Sequence, residues 1–180
     1  PFAEMERVLL KNQEMQIKNY INAVIKLGAM DYWEAQPFLE GFTEEEKLFL
    51  YGAAGGNPHY MSYLDAELSF KDNLKKLFFE PAAPLYKEPI QLLKLDLREP
   101  TTYNTILCSV ACGAGRLNEI AAAADMECNK VSKYLNVLLT MGILQRVNPA
   151  FSSSNKISYY EIANNMFVFW YQFVFPYMSS

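Results

Sequence analysis

The chain has 180 residues, 51% of them apolar and 20% charged, with a formal net charge of −4. That balance excludes a disordered or fibrous protein and suffices for one domain, or two small ones, with real cores. The charge is uneven: residues 1–100 carry 11 basic and 16 acidic side chains, residues 101–160 five basic and three acidic, so only the second stretch suits nucleic acid.

No signal-peptide pattern opens the chain. Residues 1–30 pass from a polar stretch into AVIKL (Ala23–Leu27), a short β-prone run with no partner strand nearby. A lone strand leaves its backbone groups unpaired. These residues therefore read as the remnant edge of a larger core, mobile or paired with a second copy, which makes a homo-oligomer one candidate assembly. DYWEAQPFL follows as a turn or two of helix. Thr43 to Ala54 is the first well-punctuated helix: Thr43 and Glu46 have capping-box spacing, and Glu44, Glu45 and Glu46 suit the positive end of the dipole. Gly55 and Gly56 end it, Asn57 suits an N-cap, and Pro58 suits the first position of the next helix. Helical segments are expected around Lys71–Phe79 and Pro89–Leu97, so residues 31–98 form a helical subdomain.

Residues 99–162 form the next unit. Tyr103, Ile106, Leu107 and Val110 mark a one-sided helix stopped near Gly113; Leu117, Ile120, Ala121 and Ala124 mark a second; Val131, Leu135, Leu138 and Gly142 mark a third. ILQRV and ISYYEI then suit a hairpin. Three helices followed by a hairpin is the winged helix-turn-helix order, and Asp125 occupies the inter-helix position that favours a left-handed residue. Residues 163–180 carry the richest apolar run, MFVFWYQFVFPYM. Pro176 breaks it well short of the roughly 18–20 residues a membrane span needs. No membrane partner is expected. The predicted fold is mainly α: a helical lid, a winged helix and a C-terminal aromatic helix.

Two patterns have chemical readings. The start of the helix after Gly55-Gly56-Asn57-Pro58 can aim the His59 and Tyr60 N–H groups at an anion or nucleotide, with glycines that let a ligand approach the backbone. The same residues also read as an ordinary helix corner. In the third helix of the second unit, Asn129, Lys133, Asn136 and Thr140 share a polar face, with Lys130 next to Asn129. There Asn129 and Lys133 can reach base edges and Lys130 phosphates, with Arg116 and the wing-tip Lys156 in support. The alternative is a winged helix used for packing. No catalytic constellation or metal set is evident: His59 has no neighbours at ligand spacing, Cys108 and Cys112 read as buried thiols one helical turn apart, and three cysteines (with Cys128) lacking framework spacing suit a reducing cytoplasm. No G-x-x-x-x-G-K-[ST] occurs. The chain by itself is therefore not expected to be an enzyme or to hold a cofactor.

PFAEME, IKLGAMDYWEA, GGNPHYMSYLD, LLKLDLREPTTYNTIL, the winged-helix block and ISYYEIANNMFVFWYQFVFP occur in one order. That order resembles the archaeal-type AAA+/STAND ATPases, across nearly the whole chain. The resemblance implies the portion after the P-loop core: a lid whose Gly-x-Pro element lies against bound nucleotide, then a winged helix, then an aromatic helix leading to a nuclease-like domain. The nucleotide-adjacent role would fall on Gly56 and Pro58, with Gly55 permitting the bend and His59 or Tyr60 facing the site. ATP and Mg²⁺ are implied for the parent protein only, and its upstream core and downstream domain are the implied partners. Where relatives carry a Gly-Arg pair this chain has KNQEMQIKNYINAV, so no arginine role is carried over there. The alternative reading is a DNA-binding module of a transcriptional regulator.

Overall fold

A computed structural model of the protein describes residues 22, 23, 25, 27–97, 99–148 and 159–178. Among these, eight α-helices and one two-stranded antiparallel sheet form, so the chain is mainly helical. Short-range chemistry sets the first boundaries. Helix α1 (Glu44–Ala54) opens on a closed capping box: the Thr43 N–H donates to Glu46 Oε2 at 3.0 Å, and the Glu46 N–H to Thr43 Oγ1 at 3.4 Å. It ends on Gly55 (φ 69°) and Gly56 (φ 68°), both left-handed. Helix α2 (Pro58–Met61) starts at Asn57, whose side chain accepts the His59 N–H at 2.9 Å. Ser69 caps α3 (Phe70–Leu74), which widens into a π-turn over Lys75–Phe79. The expected single helix Lys71–Phe79 is thus split, and the extra residue per turn lets consecutive Leu77 and Phe78 both be buried.

Then come α4 (Glu88–Asp96), α5 (Pro100–Ala111), α6 (Leu117–Ala123) and α7 (Cys128–Thr140). Asp125, between α6 and α7, takes φ 51°. Strands β1 (Leu144–Val147) and β2 (Tyr159–Ile162) pair in register Leu144↔Ile162 and Val147↔Tyr159. Helix α8 (Asn165–Phe173) follows and finishes in a 3₁₀ turn, Phe175–Tyr177. Two early expectations need correction. DYWEAQPFL makes a turn and then only a 3₁₀ turn, Gln36–Phe38, because Pro37 supplies no N–H to extend it. AVIKL lies partly outside the described residues; where described, Ala23, Ile25 and Leu27 are not in a strand, and Ile25 and Leu27 are exposed.

A single hydrophobic core runs through the helices before and after Pro100, and α8 is its hub. Helix α8 packs on α1 and α5 and on β2. Trp170 and Tyr171 are fully buried. The Trp170 indole N–H donates to the Tyr86 carbonyl at 3.0 Å, and the Tyr171 hydroxyl to buried Asn104 Oδ1 at 2.6 Å. Each polar atom taken inside with its ring therefore has a partner, which avoids the ~1–3 kcal/mol cost of an orphaned group. The aromatic residues of this helix divide by face: Phe167 and Trp170 are inside, Phe169 is half-buried against Phe78, and Phe173 is exposed. No helix among the described residues is long and apolar enough to cross a membrane.

Candidate functional site

The Gly55–Pro58 corner is a joint between three segments. On one side the Met30 N–H donates to the Gly56 carbonyl at 2.9 Å, and the Tyr51 hydroxyl donates to the Met30 carbonyl at 3.0 Å. A Cβ at Gly56 would stand 2.3 Å from that Met30 oxygen. On the other side a Cβ at Gly55 would stand 2.2 Å from Asn164 Oδ1 and 2.9 Å from the Met166 nitrogen. Asn164 is the N-cap of α8 and accepts the Met166 N–H at 2.9 Å. Glycine is therefore required at both positions twice over, by backbone conformation and by close approach.

The backbone that approaches these glycines belongs to the chain itself, which corrects the expectation that they open the corner to a ligand. The His59 N–H, expected to be free for an anion, is held by Asn57 Oδ1. Helix α2 has only four residues and so little dipole to offer. Of the residues singled out at the corner, Pro58 and His59 are exposed, Asn57 is half-buried and Tyr60 is buried. His59 meets Tyr63 edge-on, with Nε2 3.2 Å from the hydroxyl. The Tyr60 hydroxyl donates to Glu88 Oε1 at 3.0 Å, and burial together with that carboxylate pushes its pKa well above the ordinary tyrosine value.

The second set lies on α7. Asn129, Lys130, Lys133 and Asn136 are all exposed, opposite fully buried Val131, Leu135 and Leu138. Among the described residues neither Lys130 nor Lys133 is in an ion pair. Arg116 is not free in the same way. Its guanidinium lies over the Tyr159 ring at 5.1 Å, Nη2 donates to the Tyr159 hydroxyl at 2.6 Å, and Nε stands 3.9 Å from Glu119. Lys156 lies outside the described residues. Arg146 joins the α7 side unpredicted: it donates to Asn136 Oδ1 at 3.4 Å and lies over the Tyr160 ring at 5.5 Å. Its signal was legible as a basic residue inside the first strand of the predicted hairpin, but the partner on α7 was not.

A cleft of about 400 Å³ opens between α5, β2 and α8, lined by apolar Val110, Ile162 and Val168 and by polar Tyr160, Glu161 and Asn165. Among the described residues no group of three His, Cys, Asp or Glu side chains is placed to hold a metal ion.

No protein-family model and no solved structure matches the chain. It is similar to an uncharacterized protein of Methanocaldococcus jannaschii, 29% identical over 158 residues. The match takes in 87% of this chain and 36% of that protein, so the chain spans well under half of its relative's length.

Proposed function

We propose that this chain is the helical lid and winged-helix portion of a P-loop ATPase of the AAA+/STAND type, coupling ATP binding in a core outside the chain to movement of the domains that follow. The observation that carries this reading is the double use of the Gly55-Gly56 pair. Gly56 is tied to Met30, at the end of the segment that would leave the core, and Gly55 is wedged against the N-cap of α8. A lid that reports on nucleotide must pass its displacement on without absorbing it. A corner with no spare volume on either side does this, because a packed joint repacks or moves as a body.

The lid and the three-helix-plus-hairpin unit, the winged helix of this reading, share one core through α8. They therefore move together, and the coupling acts on whatever lies beyond them. At the corner this chain can present Pro58 and exposed His59 to a nucleotide. Phosphate and Mg²⁺ would be held by the core, so hydrolysis belongs to the parent protein. The motif order that resembles these ATPases supports the same reading, and a relative much longer than this chain is compatible with a part of a larger protein. The test is ATP binding by the full-length protein with and without Pro58→Ala. Weakened binding supports a nucleotide-adjacent corner, and unchanged affinity counts against it.

A second reading is favoured by one observation: Lys130 and Lys133 stand exposed and outside any described ion pair, on the helix that also meets Arg146. In it the winged helix binds duplex DNA through α7. Fluorescence titration with duplex DNA across salt concentrations decides the matter, because each phosphate contact steepens the fall of affinity with salt. A flat salt dependence removes this reading and leaves the winged helix a packing unit.

A further inference from the structure

All three cysteines and the single histidine lie in described residues, so every sulfur and imidazole donor of the chain, methionine aside, can be located. Cys108 is in the last turn of α5, and Cys112 caps that helix, its N–H donating to the Cys108 carbonyl at 2.9 Å. The two are one turn apart and so share a face of the helix end. Cys112 is exposed and Cys108 half-buried, so the pair is reachable from solvent. Cys128 starts a different helix, α7.

Several chemistries compete for such a pair. A disulfide needs Cβ atoms about 3.5–4.5 Å apart, whereas residues one turn apart on a helix hold theirs at roughly 5–6 Å. Direct oxidation would have to unwind the turn that the Cys112 N–H closes. A nucleophilic thiolate wants a helix N-terminus or a neighbouring cation. This pair sits at the negative end of α5, and burial and the second thiol both raise the Cys108 pKa. Structural zinc wants four donors, and the described residues offer no group of even three. A soft ion satisfied by two sulfurs needs neither an unwound turn nor further donors, and its own positive charge favours the thiolate form that burial and the helix end disfavour. Two metal–sulfur bonds of roughly 2.3 Å hold the sulfurs up to ~4.6 Å apart, a span that neighbours one turn apart reach by rotamer choice alone.

We propose that Cys108 and Cys112 form a two-thiolate site for Cu(I) at the C-terminal end of α5. Thiolates select Cu(I) among the first-row ions, and the lack of further donors disfavours zinc. Binding replaces both thiol protons with one Cu⁺, releases two H⁺ and leaves a bis-thiolate complex of net charge −1, with no change of oxidation state. The ion would bridge Cys108 to the turn that leads into Gly113, one wall of the cleft beside β2 and α8.

Anaerobic titration of the whole chain with Cu(I) held by a chromophoric chelator such as bicinchoninate tests the site. The expected result is withdrawal of one Cu(I) per chain. Cys108→Ser and Cys112→Ser should each cost more than the ~10–100-fold that loss of an outer-shell partner costs, while Cys128→Ser should bind as wild type. The proposal is overturned if the chelator keeps its copper, if either of the first two variants retains wild-type affinity, or if Cys128→Ser loses it. X-ray absorption on the loaded wild-type chain, which depends on no variant, should find two sulfur neighbours. A third nitrogen, oxygen or sulfur ligand would overturn the site as described.

Discussion

Gly55→Ala separates the conformational need for glycine from the packing need at the joint. Gly142 is the control: its φ of 70° matches the 69° of Gly55, yet a Cβ there would meet nothing within 4 Å. Alanine at Gly142 should therefore show only the left-handed penalty, about 1–2 kcal/mol. At Gly55 the same penalty applies, and the new Cβ would also overlap Asn164 Oδ1 at 2.2 Å and the Met166 nitrogen at 2.9 Å. Relief means either a backbone shift, at ~1–3 kcal/mol for an overpacked site, or expulsion of the Asn164 cap, at ~0.5–2 kcal/mol. The total at Gly55 is then about 1.5–5 kcal/mol, which for a chain of this size lowers Tm by roughly 3–20 °C. Urea unfolding followed by circular dichroism measures both variants. Asn164→Gly in the Gly55→Ala background should recover part of the loss, so that the pair is not additive. Equal costs at Gly55 and Gly142, or strict additivity of Gly55→Ala with Asn164→Gly, would refute the wedge between the corner and α8.

Two further outcomes follow from the same geometry. Trp170→Phe leaves the Tyr86 carbonyl without its indole donor and should cost ~1–3 kcal/mol, while Trp170→Ala should cost ~3–5 kcal/mol. Both should keep one cooperative transition by far- and near-ultraviolet circular dichroism, and two separated transitions would contradict a shared core. The capping box gives a pH signature. Hydrogen bonds from the Thr43 N–H and hydroxyl lower the Glu46 pKa below 4.5, so Glu46 favours folding above about pH 4.5 and loses that contribution as pH falls through its folded value. Glu46→Gln should accordingly flatten the acid limb of stability below pH 4.5, and an unchanged limb would exclude the box as its source.

Local signals in the sequence carried much of this architecture because their physics is local. Thr43 with Glu46, the glycine pair, Asn57 before Pro58 and Asp125 in its turn each act within a few residues, and each behaves as its chemistry requires. The hairpin was legible from two β-prone runs, whereas its register, Leu144↔Ile162 to Val147↔Tyr159, was not. Contacts between distant segments were not legible. Nothing near Gly55 says that the cap of α8 will sit on it, and nothing near Tyr86 announces the Trp170 indole. The π-turn at Lys75–Phe79 was hidden for a related reason. A helical period there buries Leu77 or Phe78 comfortably, and the core takes both. At the candidate sites the residue types were readable but their engagement was not. Arg116 is bound up with Tyr159, and Arg146 stands where a basic residue had not been singled out.

The corner matters in this account because two neighbours grip it at once. Met30 holds Gly56 and Asn164 stands against Gly55, and in the proposed function this grip is what would pass a push from the core side on to α8. The most direct test is equilibrium dialysis of ATP with Mg²⁺ against the native full-length protein that contains this chain, wild type beside Pro58→Ala. The account predicts saturable binding at one nucleotide per chain, with a measurably weaker Kd in the variant. A full-length protein that retains no nucleotide, or one whose Kd ignores Pro58, would contradict it.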